Sequence, residues 1–380
     1  MTSKQILIAI VSICIMLLPK IKSDSLSDEE ISAPSAILVE QSSGKVLYEK
    51  NIHDKKPLAS ITKVMTLLLV MEAIDNGKIS LDDMVTTSEH AASMTGSHIW
   101  LKESEQMSVN DLIKATVVVS ANDAAVSLAE HVSGTEEAFV EEMNKRANEL
   151  EMKDTLFKNC NGLDIDGHVS SVYDISIMSR ELLKHKEILK YTSIWMDYLR
   201  DGKTQLVSTN KLLRTYKGIT GLKTGTTSIA KSCMSASATR DGMSLVSVVL
   251  ASPTTKERFK DSATLLDFGF ANYIIFHPSE KAIENPYIKV THGMQTDVGT
   301  FVDINNDILI QKGKEKNIKY MVETTPELQA PIDKGQVVGK LTFLIDEEPI
   351  ANFDIRTSSS VDKITFGTSF GLLLNKFFSM

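Results

Sequence analysis

Ser60 and Lys63 stand three residues apart at the head of a long apolar run, Val64-Met65-Thr66-Leu67-Leu68-Leu69-Val70-Met71. A serine hydroxyl becomes an effective nucleophile only when a neighbouring base takes its proton. Residues three apart on a helix share a face, so the Lys63 amine can reach the Ser60 oxygen. Lysine acts as that base only if its pKa falls, which burial and nearby positive charge bring about. Lys223 can supply the second charge. A serine at a helix start also lies over the positive end of the helix dipole, where a developing oxyanion is stabilised. The chemistry these residues permit is acyl transfer through a covalent serine.

Two further strings follow in order, Ser120-Ala121-Asn122 and Lys223-Thr224-Gly225. S-x-x-K also occurs at Ser42–Lys45, Ser208–Lys211, Ser228–Lys231 and Ser360–Lys363, and S-x-N at Ser108–Asn110 and Ser208–Asn210. Context separates them. Ser42 falls in a hairpin turn, Ser108 reads as a helix N-cap with Asp111 three residues on, and the others lie in polar stretches with no helical stripe behind them. K-T-G occurs once.

In the Ser120 string the hydroxyl can relay a proton to a leaving amine, and the Asn122 amide can hold Lys63 and a substrate carbonyl. Its bland reading is a helix-breaking cap between Val117-Val118-Val119 and Ala124–Glu130. K-T-G on a strand edge suits substrate docking. Lys223 and the Thr224 hydroxyl can take a terminal carboxylate, and Gly225 leaves room for a peptide added along the strand. The Thr226 N–H can pair with that of Ser60 as an oxyanion hole. Taken alone, Lys223 reads equally well as a solvated strand lysine. The eight histidines form no H-E-x-x-H, and His168 reads as structural rather than catalytic. A Ser-His-Asp triad stays open at this level, because its members need not be close in the chain.

The elements that must position these groups are legible in outline. Ser35–Glu40 and Val46–Glu49 flank a Ser-Gly turn and predict a hairpin. A helix runs from Ser60 to about Met71, and residues 72–200 read as mostly helical. Strands return at Gly221–Thr227, Cys233–Thr239 and Met243–Leu250, the last two joined by the turn Arg240-Asp241-Gly242. Thr264–Tyr273 predicts a closing helix. Strands at both ends with helices between them predict an antiparallel sheet covered by helices, an α/β (α+β) domain over residues 30–277. From 278 to 358, short alternating runs at Tyr287–Val290, Thr300–Val302, Ile308–Ile310, Tyr320–Glu323 and Gly339–Leu344 predict a small all-β module. A polar linker and tail occupy 359–380.

With 380 residues, 42% hydrophobic, the chain can bury a sizeable core, and its length suggests two domains. A net charge of −8 without basic, aromatic-interleaved stretches argues against a nucleic-acid binder, and there is no G-x-G-x-x-G or Walker loop. The three cysteines, Cys14, Cys160 and Cys233, contain no C-x-x-C, so neither zinc nor a redox pair is indicated. A Cys160–Cys233 disulfide is open. No cofactor is implied.

Both ends carry membrane signals. Lys4, the apolar stretch Ile6–Leu18 and the small residue Ser23 read as a secretory signal over residues 1–23, with Lys20 and Lys22 unusual in a cleavage region. An uncleaved anchor is the alternative. At the other end Phe366, Phe370, Leu373, Leu374, Phe377 and Phe378 fall on one helical face, an interfacial pattern rather than a spanning one. The competing reading docks this helix on the protein's own core.

On these residues the chain resembles the low-molecular-mass penicillin-binding proteins, the serine D-Ala-D-Ala carboxypeptidases of the peptidase S11 type. The resemblance runs from about residue 30 to the end, through Pro57–Lys63, Ser120–Ala125, Gly221–Gly225, Arg258-Phe259 and Ala330–Gly339. It implies a penicillin-recognising fold, a following β-domain, and a membrane-anchoring tail on an exported protein. It implies removal of the terminal D-alanine from peptidoglycan pentapeptides through an acyl-serine, with β-lactams as covalent inhibitors. Ser60 would be the nucleophile, Lys63 the base, and Ser120 and Asn122 the relay and positioner. Lys223, Thr224, Gly225 and Thr226 would form the substrate strand, with Arg258 assisting at the carboxylate. Thr226 stands where some members carry histidine, which bears on rate or preference.

Three rivals stand beside this reading. A class A-like β-lactamase would share Ser60, Lys63 and K-T-G, but the E-x-x-L-N string of such enzymes is absent. A D,D-endopeptidase would use the same residues on cross-links. A non-catalytic peptidoglycan-binding protein would carry the motifs as vestiges.

Overall fold

The computed structural model describes residues 26–279 and 286–378. The expected secretory signal over residues 1–23 lies outside them, as does Cys14. The chain divides into two compact units, Met1–Thr239 with Ser244–Phe268, and Arg240–Met243 with Gly269–Met380.

The first unit is built on a five-stranded antiparallel sheet. Its strands are β1 (Ser35–Glu40), β2 (Val46–Lys50), β3 (Ile219–Thr227), β4 (Lys231–Arg240) and β5 (Met243–Ser252), in the order β2-β1-β5-β4-β3. β1 is buried along its whole length, as a central strand covered on both faces must be. β3 stands at the sheet edge, so one side of its backbone is left for another chain to pair with.

Helix α1 (Lys63–Asp75) is the hub of the core. Ten of its thirteen residues are buried, including Val64 to Met71 without interruption, so it behaves as a core helix rather than an amphipathic surface one. Around it lie α2 (Val109–Val118), α3 (Asn122–Ser133), α4 (Glu136–Glu149) and α5 (Val172–Leu182). Three of these start on side-chain caps. Ser108 accepts from Asp111 N, as expected, Thr135 from Ala138 N and Ser171 from Asp174 N. The stretch 72–200 is less helical than expected. It also contains the short antiparallel pair Met84–Thr86 with Gln106–Ser108, and near its end Met196–Leu199 pairs with Thr204–Val207 just beyond it.

Helix α6 runs from Thr255 to Asn272, nine residues earlier than expected. Its first turns are polar in sequence yet partly buried by specific bonds. The Asp261 carboxylate accepts from Ser32 N and Ala33 N at 3.0 and 2.9 Å, which ties the start of the chain to this helix.

The second unit is all-β apart from a terminal helix. Four strands pair antiparallel in the order Thr300–Val302, Glu348–Thr357, Val337–Ile345, Ile318–Thr324. Three more, Asp297–Val298, Ile288–Thr291 and Glu327–Gln329, include one parallel pairing. Tyr273–Phe276 pairs with Ile308–Gln311. Phe343 centres the core, edge-on to Phe353 at 5.9 Å and Phe276 at 6.0 Å. Val361 is buried and bridged to Ile332, so part of the expected linker is packed into this unit. Helix α7 (Phe366–Phe378) follows. Among the described residues no helix is long and apolar enough to cross a membrane.

Candidate active site

Ser60 sits in a single 3-10 turn, Ala59–Thr62, that runs directly into α1. The turn is held tightly on three sides. A Cβ on Gly225 of β3 would lie 3.0 Å from Ala59 Cβ, Leu58 O and Ser60 N, so only glycine lets the strand come this close. Gly162, at φ +88°, closes from another side, where a Cβ would fall on the Ala59 carbonyl. From behind, the Thr62 hydroxyl donates to Ala59 O at 2.8 Å.

His168 completes that support. Its Nδ1 accepts from Lys158 N–H at 2.9 Å, which leaves Nε2 to carry the proton and donate to Thr62 Oγ1 at 2.7 Å. Burial lowers its pKa to about 4, so the ring is neutral. His168 therefore braces the serine turn, in line with its structural reading.

Lys63 is wholly buried at the start of α1. Its Nζ lies 2.5 Å from the Asn161 carbonyl, 2.6 Å from Asn122 Oδ1 and 3.2 Å from Ser60 Oγ. Two of these partners are carbonyl oxygens, which can only accept. They take two N–H bonds, and in the neutral amine the lone pair is left facing the Ser60 hydroxyl. Burial pulls the pKa of Lys63 down to about 7.

Ser120 breaks the chain between α2 and α3 with φ +63° and is 5% exposed. The helix break expected here is present, and it is what exposes the hydroxyl to the site. Asn122 is clamped from the far side: its Nδ2 donates to Thr95 O and its N–H to Ser97 O, each at 2.6 Å. Next to it the buried Asp123 carboxylate accepts from Ile99 N and Leu101 N at 3.0 Å, fixing the loop that covers this wall.

Lys223 is 2% exposed, so it is no solvated lysine. Its Nζ donates to Ser120 Oγ at 2.8 Å and to Thr224 O at 3.0 Å, joining the second motif to the third. Burial first, then the neighbouring Lys63 and Arg258, push its pKa well below the usual lysine range. Thr224 meets the Thr209 hydroxyl at 2.7 Å. Arg258, on α6, donates from Nη1 to Gly225 O at 2.8 Å and to Thr226 Oγ1 at 2.7 Å. Burial lowers its pKa to about 10, which leaves it cationic at neutral pH. The nine residues expected at the site, from the three motifs with Thr226 and Arg258, thus fall in one connected group.

Sequence reasoning missed Asn161, Gly162 and Thr209. Asn161 acts through its backbone carbonyl, which no residue type announces. Cys160 and Cys233 are free buried thiols rather than a disulfide. Among the described residues no group of three His, Cys, Asp or Glu is placed to hold a metal.

Comparison with known proteins now adds to this geometry. The profile of the D-alanyl-D-alanine carboxypeptidase family matches residues 22–254, and that of the C-terminal domain of penicillin-binding protein 5 matches residues 278–363. The chain is 43% identical over 354 residues to D-alanyl-D-alanine carboxypeptidase DacF of Bacillus subtilis, covering 91% of each. Penicillin-binding protein 5 from Haemophilus influenzae superposes with a TM-score of 0.80 at 35% identity, over 89% of this chain and 100% of that one. Penicillin-binding protein D2 from Listeria monocytogenes, solved in an ampicillin-bound form, matches at a TM-score of 0.58 and 36% identity, over 63% of this chain and 98% of its own. The chain belongs to the D-alanyl-D-alanine carboxypeptidase family of low-molecular-mass penicillin-binding proteins.

Proposed function

We propose that this D-alanyl-D-alanine carboxypeptidase cuts the terminal D-Ala-D-Ala bond of peptidoglycan pentapeptides through an acyl-enzyme on Ser60. One observation carries the reading: a buried lysine amine, its pKa lowered to about 7 by burial, sits 3.2 Å from the Ser60 hydroxyl. The peptide adds to the free edge of β3. Lys63 takes the proton of Ser60 as Oγ attacks the carbonyl of the penultimate D-alanine. The N–H groups of Ser60 and Thr226 hold the oxyanion. Ser120 hands a proton to the leaving nitrogen and draws on its Lys223 partner. Asn122 keeps Lys63 in place and offers its second N–H to a substrate carbonyl. Thr224, with Arg258 acting through Thr226, anchors the terminal carboxylate. Water then cleaves the ester and frees Ser60. β-Lactams enter by the same attack. The test is D-alanine release from a peptide ending in D-Ala-D-Ala. The purified chain should release it catalytically. A folded protein that releases none, yet cuts cross-linked muropeptides, would make it an endopeptidase.

The proposal extends to location. Residues 1–23 direct export, and α7 rests on the outer face of the cytoplasmic membrane. Phe366, Phe370, Phe377 and Phe378 are 87, 54, 76 and 81% exposed, which leaves four aromatic rings for an interface. A chain ending at Thr365, its signal removed and the buried Val361 kept, should lose most of its binding to phospholipid vesicles in a sedimentation assay and keep D-alanine release. Equal sedimentation of both forms would sink the idea.

A further inference from the structure

The decoy string Ser208-Thr209-Asn210 is not a second active site, but the fold brings its middle residue to the first one. Thr209 N–H donates to Val118 O at 3.1 Å, at the end of α2 just before Ser120. Asn210 is buried, and its Nδ2 donates to Gly221 O on β3 at 3.3 Å. The segment is thereby pinned between the two walls that carry Ser120 and Thr224. From this fixed position the Thr209 hydroxyl sits 2.7 Å from Thr224 Oγ1.

A threonine hydroxyl has one proton and two lone pairs. If Thr224 gave its proton to Thr209, it would turn lone pairs toward the substrate and repel a carboxylate. If Thr209 donates instead, the Thr224 proton is free to point at the substrate. Thr226 is arranged differently: its hydroxyl accepts from the Arg258 guanidinium at 2.7 Å and gives its own proton to Gly225 O at 2.8 Å. Side chains two apart on a strand share a face, so of the two hydroxyls there it is that of Thr224 whose proton a donor behind it can leave free. Lys223 does not fill this role directly, because its Nζ is buried and committed to Ser120 Oγ and Thr224 O.

We propose that Thr209 is a specificity-determining positioning residue, whose hydroxyl donates to Thr224 and so aims the Thr224 proton at the C-terminal carboxylate of the substrate. The inference rests on the carboxypeptidase reading above. It makes recognition of the free carboxylate depend on a residue outside all three motifs.

The experiment compares Thr209→Val and Thr209→Ser with the wild type. Thr209→Val keeps the shape and removes the hydroxyl. With a D-Ala-D-Ala peptide, KM should rise about fivefold to tenfold with kcat little changed, the scale of one ordinary hydrogen bond. Acylation by benzylpenicillin, followed by intact mass, should slow by a similar factor. Acylation by its methyl ester, which has no carboxylate, should not change. Thr209→Ser should restore the wild-type values. Equal loss on acid and ester, or a loss confined to kcat, would overturn the proposal and leave Thr209 a packing residue. Wild-type protein that takes penicillin but releases no D-alanine would count against the carboxypeptidase reading alone, because the acid and ester pair still reads Thr209.

Discussion

Replacement of Ser60 by alanine is expected to abolish D-alanine release, by a factor on the order of 10⁴–10⁶, and to leave the fold intact. The loss is large because no neighbouring hydroxyl can replace the nucleophile. Ser120 is nearest in kind, but it serves Lys223 at 2.8 Å and stands on a different wall. The fold survives because Ser60 is only partly buried and its hydroxyl makes one weak contact, 3.2 Å from Lys63 Nζ. Lys63 keeps its two shorter bonds, to Asn122 and Asn161. Intact-mass spectra after penicillin should show a stable single adduct on the wild type and none on Ser60→Ala. Thermal unfolding should shift by no more than a few degrees. An adduct on the variant, or residual release within a hundredfold of wild type, would mean another nucleophile. Turnover of penicillin in seconds by the wild type would make the chain a β-lactamase in practice.

The catalytic pair was legible because its geometry is local. Three residues along a helix bring Lys63 to Ser60, and the apolar run behind them requires burial, which is what lowers the lysine pKa. The bond from Lys223 to Ser120 joins distant parts of the chain, and the motifs placed both residues at the site without naming that contact. Other parts carried no signal. The Asn161 carbonyl could belong to any residue, since backbone acceptors are common to all. Gly162 matters because Ala59 lies where its Cβ would be, a fact of tertiary packing. Thr209 was set aside as part of a polar stretch with no helical stripe, yet a hydroxyl needs no stripe when bonds to Val118 and Gly221 hold its segment. Helix α6 begins nine residues before the expected Thr264, and its first turns, with Lys256, Glu257 and Lys260, carry no apolar stripe to announce it. Arg258 and Asp261 in that stretch are buried and hydrogen-bonded, which periodicity of apolar residues cannot register. In the β-unit the strand Glu348–Thr357 went unnoticed because Pro349 stands near its start and the apolar Ile350 falls on the face of Asn352, Asp354 and Arg356.

Lys63 yields the second large effect, and it has two separable parts. Lys63→Met should slow acylation about 10²–10⁴-fold, the usual worth of a positioned general base. In the wild type, acylation by penicillin should rise with pH through about 7 and then level, because only the neutral amine can accept the Ser60 proton. A rate that is flat from about pH 5 to about pH 9 would assign the base elsewhere. The stability effect has a definite sign. The pKa falls from 10.5 in the unfolded chain to about 7 in the fold, so between these values the unfolded state binds more protons. Stability of the wild type therefore rises with pH across that window, and below it the full penalty of burying the amine applies. Methionine carries no such proton, but it leaves the Asn161 and Asn122 oxygens without their donor, at about 1–3 kcal/mol each. These two terms oppose each other, so the absolute difference at one pH decides nothing. Its slope does. Urea unfolding of both proteins from about pH 6 to about pH 10 should show the wild type gaining on Lys63→Met as pH rises. A constant difference would mean that Lys63 is protonated in the fold throughout, and a protonated amine cannot be the base.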